Sequence, residues 1–292
     1  MQFARPASRR ARDSSPMRRA ALCLLLPAVL AAAQDQSIFP DKALEAVVRK
    51  SVFEKRNTND PILAKDVERI STIKGSKAGI RNIEGLQHCR ELRELNLSEN
   101  EIEDVSPLAG LKYLQSLDLA KNKISSIEPL RDHKMLQFIE LSHNQVSDLS
   151  PLENHETVVN LYLENNKVSD ISVVATLPRL VSLYLDDNPV RDVSPLAKLK
   201  WLERVGLNRC QVEDVAPLTA SIYWKYIFLE DNKIADLAPL VEMCKRDLAD
   251  RKRFAPFVRI YLNGNPLSEQ GRAQLEELKA LGIRLRSMKD KD

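Results

Sequence analysis

Aliphatic residues recur along most of this 292-residue chain at one constant interval. When the copies are aligned on the pattern L-x-x-N, each places an asparagine, or once a cysteine, at the same position: Asn100, Asn122, Asn144, Asn166, Asn188, Cys210 and Asn232. The next member, Asn265, follows after one and a half of these intervals, which indicates an insertion of half a repeat. Short repeats that stack on one another bury a continuous core. The pattern therefore predicts an α/β repeat solenoid of about nine turns.

Each repeat contains two aliphatic residues separated by one other residue, as in Leu95/Leu97 and Leu161/Leu163. This alternation predicts a short strand with its apolar side chains inward, and turns stacked about 4.8 Å apart would pair these strands into a parallel sheet. The asparagine that follows is expected to turn inward and to satisfy backbone groups that the turn leaves unpaired. Because cysteine substitutes in this column of such repeats, Cys210 is expected to belong to the same ladder.

Two further columns follow the asparagine in most repeats. The first is Asp104, Asp148, Asp170, Asp192, Asp214 and Asp236, and the second is Pro107, Pro129, Pro151, Pro195, Pro217 and Pro239. An acid and a serine just before proline predict the capped start of a short helical turn. A calcium site is the alternative for the aspartates, but calcium repeats gather their acids around one cavity.

Segments of other character flank the repeats, which occupy residues 70–267. Residues 34–69 predict a helical N-terminal cap with Asp41 as the helix N-cap, and residues 268–292 predict a helix ending near Gly282 and a final strand that caps the sheet. The insertion, at about 241–254, contains "LVEMCKRDLADRKRF", which predicts an amphipathic helix. For this helix, a solvated flap over the convex side and a partner-binding element are the two alternatives.

The stretch "LNLSENEIEDVSPLAGLKYLQSLDLAKNKISSIEPL" resembles the 22-residue class of leucine-rich repeats found in bacterial internalins and in a regulatory subunit of protein phosphatase 1. The segment "SIFPDKALEAVVRKSV" resembles the helical N-terminal cap of internalins. The resemblance implies a leucine-rich-repeat arc with a parallel concave sheet. It also implies a bacterial secreted binding protein, although a solenoid is a scaffold whose partner depends on its exposed residues.

Residues 1–33 do not fit the repeat pattern. Arg18 and Arg19 precede the apolar run "AALCLLLPAVLAAA", which predicts a signal peptide cut after Ala33 and an exported protein, secreted or periplasmic; Met17 is an alternative start. These residues hold six of the 44 basic and one of the 41 acidic residues, so 38 basic and 40 acidic residues remain, a formal net charge of −2 instead of +3. Neither a nucleic-acid partner nor membrane insertion after cleavage is expected.

No catalytic motif is present in the sequence, so the protein is not expected to be an enzyme, and no cofactor or metal is expected. His133 and His155 are separated by one repeat length and are expected to stack as buried structural residues. A two-histidine zinc site, and an enzyme that uses it, is the alternative, although further ligands are not evident. Cys89 and Cys244 are expected to pack as buried thiols, about seven turns apart and therefore not bonded to each other.

One outward column of the predicted sheet is acidic in its first half and aromatic in its second: Asn96, Asp118, Glu140, Tyr162, Tyr184, Gly206, Phe228 and Tyr261. Acids flank it on one side (Glu164, Asp186, Glu230) and bases on the other (Arg204, Lys225, Arg259). Exposed aromatic residues beside charges are typical of binding hot spots. The alternative is that tyrosine and phenylalanine merely suit a strand.

The sequence therefore predicts a monomeric, exported, non-catalytic protein that binds a protein partner through its concave face, with a glycan as the alternative ligand. The expected contact residues are Tyr162, Tyr184, Phe228, Tyr261, Glu140, Glu164, Asp186, Glu230, Arg204, Lys225 and Arg259. The alternative function is a regulatory or inhibitory subunit that docks on an enzyme such as a phosphatase.

Overall fold

The computed structural model describes residues 36–288, and in this part of the chain ten short strands form one parallel sheet in sequence order. The strands are β1 (Thr72–Lys74), β2 (Glu94–Asn96), β3 (Ser116–Asp118), β4 (Phe138–Glu140), β5 (Asn160–Tyr162), β6 (Ser182–Tyr184), β7 (Arg204–Gly206), β8 (Tyr226–Phe228), β9 (Arg259–Tyr261) and β10 (Arg284–Arg286). Leu95 pairs with Leu117, and Ile227 pairs with Ile260 in the same register despite the insertion. The predicted solenoid with nine repeat turns and an added final strand is confirmed.

The middle residue of each strand points into the core. Leu95, Leu117, Ile139 and Leu161 are all fully buried, and they belong to one hydrophobic cluster that includes residues of every repeat. The first and third residues of the strands point outward, since successive side chains of a strand alternate between faces. Each repeat therefore contributes two outward residues to the sheet, one on either side of a buried aliphatic residue.

The asparagine ladder forms as expected. The Asn144 side-chain amide donates from Nδ2 to the carbonyls of Leu119 and Leu141, both at 3.0 Å, and its Oδ1 accepts from the backbone N–H of Ile124 at 3.0 Å. These groups belong to adjacent turns, so the amide joins one repeat to the next. Buried backbone groups require such partners, which explains why the column keeps a polar residue inside the core.

Cys210 occupies the same place in the ladder as the asparagines. Its thiol donates to the Leu185 carbonyl at 3.3 Å, the bond that Nδ2 makes in the other repeats. Burial raises the pKa of the Cys210 thiol to about 12, although backbone hydrogen bonds from Asn188 and Val190 act in the opposite direction. The prediction that Cys210 is a ladder member rather than an accessible thiol is confirmed.

Short 3-10 turns on the convex side close most repeats. Before the turn at Ser106–Leu108, Asp104 Oδ1 accepts from the Ser106 N–H at 2.8 Å and Oδ2 accepts from the Ser106 hydroxyl at 2.7 Å. Asp192 and Ser194 repeat the arrangement, at 2.8 and 3.1 Å. The aspartates therefore cap the turns in most repeats, and in the repeat that has Ser126 instead, the serine hydroxyl accepts from the Glu128 N–H at 3.3 Å.

At the N-terminal end, helix α1 (Lys42–Arg49) and the short helix α2 (Ala64–Val67) cover the first repeat. Asp41 is the N-cap of α1, as predicted, and its Oδ1 accepts from the N–H groups of Ala43 and Leu44. Its Oδ2 accepts from the N–H groups of Arg81 and Asn82. Burial acts to raise the pKa of Asp41, but these four hydrogen bonds lower it below its ordinary value. One carboxylate thus starts the helix and fastens it to the repeats.

At the other end, the insertion forms helix α3 (Ala238–Ala249), and helix α4 (Glu269–Ala280) precedes β10. Leu240, Met243 and Cys244 of α3 are buried in the core, while Lys245 pairs with Glu277 of α4 at 2.8 Å. The helix is therefore part of the wall of the solenoid, and the expectation of a solvated flap is wrong because one face of the helix is packed on the core. The predicted helix and final strand of the C-terminal cap are confirmed.

Candidate functional site

Five aromatic side chains form a continuous row along the concave sheet, and we call this row the aromatic ribbon: Phe138, Tyr162, Tyr184, Phe228 and Tyr261. Ring centroids are 5.6 Å apart for Phe138 and Tyr162, and 5.3 Å apart for Tyr162 and Tyr184. The distances are 6.0 Å for Tyr184 and Phe228 and 4.5 Å for Phe228 and Tyr261. All of these distances fall in the range in which aromatic pairs attract one another, so the ribbon supports its own geometry.

Gly206 makes the ribbon continuous. Its strand lies between those of Tyr184 and Phe228, which pair with Gly206 on either side. Strands two places apart are separated by about 9.6 Å, so the two rings meet only by leaning over the intervening strand. A Cβ atom at Gly206 would lie 2.6 Å from Tyr184 Cδ1 and 2.0 Å from Asp186 Oδ2. The glycine is therefore required by this close approach.

Two aromatic residues at this site were missed by the sequence reasoning. Phe138 and Tyr226 occupy the first outward position of their strands, whereas the prediction followed only the third. Tyr226 stacks on Phe228 with centroids 5.8 Å apart, and the Arg259 guanidinium lies 5.5 Å from the centroid of the Tyr226 ring. The period of two along each strand was the signal that could have identified both.

Beside the ribbon lie three carboxylates, Glu140, Glu164 and Asp186, which we call the acidic row. Within residues 36–288, the Glu164 carboxylate accepts no hydrogen bond and forms no ion pair. Half-burial raises its pKa to about 7, and repulsion by Asp186 and Glu140 adds to the shift. Burial also raises the pKa values of Asp186 and Glu140, although Asp186 accepts from the Asn208 N–H and Glu140 from the Ser142 N–H.

The cation that acts on Glu164 and Asp186, Arg209, is already engaged in an ion pair with another residue. Arg209 forms a bidentate ion pair with Asp187, with Nε and Nη2 each 2.6 Å from a carboxylate oxygen. This pairing lowers the pKa of Asp187 and leaves the acidic row without an ion-pair partner of its own among the described residues. The row is therefore a concentrated, partly desolvated negative charge at the edge of the ribbon.

The structure separates Glu230 from the rest of the predicted acidic flank. Glu230 is 6% exposed, and its Oε1 accepts from the Met288 N–H at 3.0 Å, so the segment after β10 covers it. Asp186 is 7% exposed, so Glu140 and Glu164 are the more accessible carboxylates of the acidic row.

On the opposite flank, Glu203 lies 2.6 Å from Lys225 and 3.6 Å from Arg204, so one carboxylate offsets part of the predicted basic side. The bases of the concave face are therefore engaged within the chain, whereas the acidic row forms no ion pair among the described residues.

The histidine column is structural. His133 and His155 are buried, and their Nε2 atoms lie 3.0 Å from the Leu108 carbonyl and 3.1 Å from the Leu130 carbonyl, which requires each Nε2 to donate. Burial lowers both pKa values. A shared zinc ion would have to bind the two Nδ1 atoms, but the Lys134 ammonium lies 3.3 Å from His155 Nδ1, so the zinc alternative does not fit. In the described part of the chain, no group of three His, Cys, Asp or Glu residues could hold a metal ion.

The remaining cysteines behave as predicted. Cys89, Cys210 and Cys244 are free and buried, and burial raises the pKa of each thiol to about 12.

The signal peptide predicted for residues 1–33 lies outside the described residues. No helix between residues 36 and 288 combines the length and the apolar character that a bilayer span requires.

The fold and the sequence both have counterparts among known proteins. A family model for Leucine Rich repeats (2 copies) matches residues 79–132 and 156–198. The structure is similar to that of internalin C2 from Listeria monocytogenes, with 31% sequence identity, a TM-score of 0.67, and coverage of 70% of this chain and 91% of that chain.

Two more distant structures share the fold alone. The functional domain of InlJ from Listeria monocytogenes is 18% identical, with a TM-score of 0.59 and coverage of 83% of this chain and 55% of that one. The plant peptide hormone receptor RGFR1, in complex with RGF2, is 19% identical, with a TM-score of 0.52 and coverage of 62% and 34%. Because the internalin C2 match combines identity, coverage and fold, the chain belongs to the internalin-like family of leucine-rich-repeat proteins.

Proposed function

We propose that this protein is an exported, non-catalytic binding protein that recognises a protein partner through the concave face of its solenoid. The observation that carries this proposal is the aromatic ribbon, which runs across six repeats, from β4 to β9, and of which Phe138, Tyr162, Tyr184 and Phe228 are partly exposed. Leucine-rich-repeat solenoids are commonly used for protein–protein recognition. Tyrosine and phenylalanine supply large contact areas at low cost in side-chain entropy, which suits them to hot spots.

Strand propensity alone does not account for the ribbon. Cross-strand aromatic pairs stabilise a sheet by about 0.2–1 kcal/mol each, and β-branched residues also suit a strand. Tyr162, Tyr184 and Phe228 are each partly exposed in the structure. Monomeric proteins rarely leave a contiguous apolar patch of this kind uncovered, which supports a binding role for the surface.

The proposed contact surface contains the predicted residues other than Glu230, which the segment after β10 covers, together with Phe138 and Tyr226. Its central members are the aromatic ribbon and the acidic row. Arg204, Lys225 and Arg259 lie on the opposite flank, where they interact with Glu203 and Tyr226.

The proposed domain organisation is a signal peptide at 1–33, an N-terminal cap at 34–69, repeats at 70–267 and a C-terminal cap at 268–292.

Export rests on the composition of residues 1–33, where a charged segment precedes an apolar run ending in alanines. N-terminal sequencing of the protein recovered from fractionated cells tests it. A mature chain that begins at Gln34 in the exported fraction supports the proposal, whereas an intact N-terminus in the cytosolic fraction contradicts it.

Binding is tested with the double substitution Tyr162→Thr/Tyr184→Thr, because threonine also suits a strand. We expect the variant to fold normally and to lose affinity for the captured and purified partner by at least about 2 kcal/mol, the usual threshold for a hot spot. Lys198→Ala, on a convex 3-10 turn, is the control and should bind as the wild type does. Equal affinity of the double variant and the wild type would contradict the proposal.

A further inference from the structure

We infer that the partner presents a basic segment, with an arginine or lysine side chain that lies on the rings of Tyr162 and Tyr184 and pairs with the acidic row. This inference rests on the proposed binding role of the concave face and adds the chemistry of the partner. Three observations support it: the position of the carboxylates beside the rings, the absence of an ion pair to Glu140, Glu164 or Asp186 within the described residues, and the engagement of Lys225 and Arg204 by Glu203 on the opposite flank.

The rings and the carboxylates lie side by side. Glu164 and Asp186 each follow a ribbon tyrosine by two residues, so they project from the same outward side of adjacent turns. The position that a Cβ atom would take at Gly206 is close to both Tyr184 Cδ1 and Asp186 Oδ2. A cation above these rings would therefore be within reach of a carboxylate, a combination that strengthens cation–π attraction.

Among the described residues the acidic row forms no ion pair, and Arg209 lowers the pKa values of Glu164 and Asp186 only from beyond ion-pair distance. Glu164 accepts no hydrogen bond in the described part of the chain, and Asp187 holds the guanidinium of Arg209 at 2.6 Å. The raised pKa values of Glu140, Glu164 and Asp186 report that their ionised forms are disfavoured by partial burial, and for Glu164 also by mutual repulsion. A bound cation removes both penalties, so the unpaired charge favours a basic ligand.

Other ligand chemistries fit this surface less well. An anionic partner would be repelled by the acidic row, and an apolar partner would bury the Glu164 carboxylate without a donor, which is costly. Arginine suits both halves of the site, because its planar guanidinium stacks on aromatic rings and donates to a carboxylate through two N–H groups. Glu203 pairs with Lys225 and Arg204, and the Arg259 guanidinium lies over the Tyr226 ring, so the cations of this face are engaged within the chain while the Glu164 carboxylate is not.

A set of three synthetic peptides tests the inference by isothermal titration calorimetry on the folded protein. The first alternates glycine and arginine, the second replaces arginine with citrulline, which has nearly the same shape without the charge, and the third replaces it with glutamate. All are acetylated and amidated, and are titrated at about pH 8 in salt near physiological strength, where exposed charges are screened beyond about 8 Å. We expect the arginine peptide to bind at least about tenfold more tightly than the other two.

The variant Glu164→Gln removes one charge of the acidic row while keeping the shape of the side chain. We expect it to bind the arginine peptide about tenfold more weakly, which corresponds to about 1.4 kcal/mol. Glu153→Gln is the matched control, because Glu153 is exposed on the convex side and no ion pair or hydrogen bond of its side chain is formed within the described residues. The control should bind as the wild type does.

Equal binding of the arginine and citrulline peptides, binding of neither, or unchanged affinity of Glu164→Gln would each overturn the inference. These results are distinguishable from a failure of the proposed function. If Tyr162→Thr/Tyr184→Thr loses the captured partner while Glu164→Gln keeps it, the concave face binds a partner that is not basic. If the tyrosine variant keeps the partner, the binding role itself is wrong.

Discussion

The ring of Tyr184 lies 6.0 Å from the ring of Phe228, although a whole strand separates the two residues in the sheet. The contact exists because the intervening position is Gly206, which leaves the outer surface of its strand open. Without it, the aromatic ribbon would be divided into two shorter rows. The binding surface therefore depends on a residue that has no side chain to offer a partner.

Gly206→Ala tests this dependence. The added Cβ atom would lie far inside contact distance of Asp186 and Tyr184, so both side chains must shift, and we expect a loss of about 1–3 kcal/mol in the free energy of unfolding. Gly110→Ala is the matched control, because a Cβ atom there meets nothing within 4 Å. Chemical denaturation measures both. Equal stabilities of the two variants would show that the site relaxes freely.

The asparagine ladder makes a prediction in which added apolar surface destabilises the protein. Asn144→Leu removes the partners of the Leu119 and Leu141 carbonyls and of the Ile124 N–H, so we expect a loss of about 1–3 kcal/mol in the free energy of unfolding. Gln137→Leu changes an exposed amide whose side chain forms no hydrogen bond within the described residues, and it should be close to neutral. A melting temperature of Asn144→Leu equal to that of the wild type would contradict the ladder.

Cys210→Asn should stabilise the protein, because it restores an amide to the ladder position between Asn188 and Asn232. In the adjacent repeat, Asn232 Oδ1 accepts from the Val212 N–H at 3.1 Å. The equivalent N–H one repeat earlier belongs to Val190, and its acceptor is the Cys210 sulfur. Sulfur is a weak acceptor, so we expect a gain of about 1 kcal/mol, measured by thermal unfolding.

Cys244→Asn provides the control for this substitution. Cys244 is fully buried in α3 and lies outside the ladder, so the same change leaves an amide in an apolar environment and should destabilise the protein. Opposite signs for the two variants would tie the gain at position 210 to the ladder. A destabilised Cys210→Asn would show that the column has adapted to the smaller residue.

Glu164 predicts a dependence of stability on pH. The pKa of the Glu164 carboxyl is about 7 in the folded protein, and 4.5 is the ordinary value for a glutamate, which applies to the unfolded chain. Between these two pH values the folded state retains a proton that the unfolded state releases. Stability contributed by this group is therefore present below pH 4.5 and is lost as pH rises towards 7. Glu164→Gln removes the loss, so its melting temperature relative to the wild type should rise across that interval. For the control Glu153→Gln, the difference in melting temperature from the wild type should stay constant with pH. If the difference for Glu164→Gln also stayed constant, the raised pKa of Glu164 would be contradicted.

Much of the architecture follows from the sequence because each repeat is a local unit. The constant repeat interval determines which positions stack, and the alternation in each strand determines which side chains are buried, so the parallel sheet and the asparagine ladder were predictable. Asp41 was identifiable as a helix cap because capping is determined by residues close in sequence. The buried state of Cys89 and Cys244 followed from their positions in or near an apolar column.

Relationships between repeats were decided only by the tertiary structure. Whether Tyr184 reaches Phe228 depends on ring orientation and on the space above Gly206, and neither can be read from the positions in a column. Glu230 is equivalent to Asp186 in the repeat, yet the backbone of Met288 covers it, because the final strand returns to the sheet. The sequence predicts which charged residues lie on the concave face. Which of them form ion pairs, such as Arg209 with Asp187 and Lys225 with Glu203, is decided by the tertiary structure.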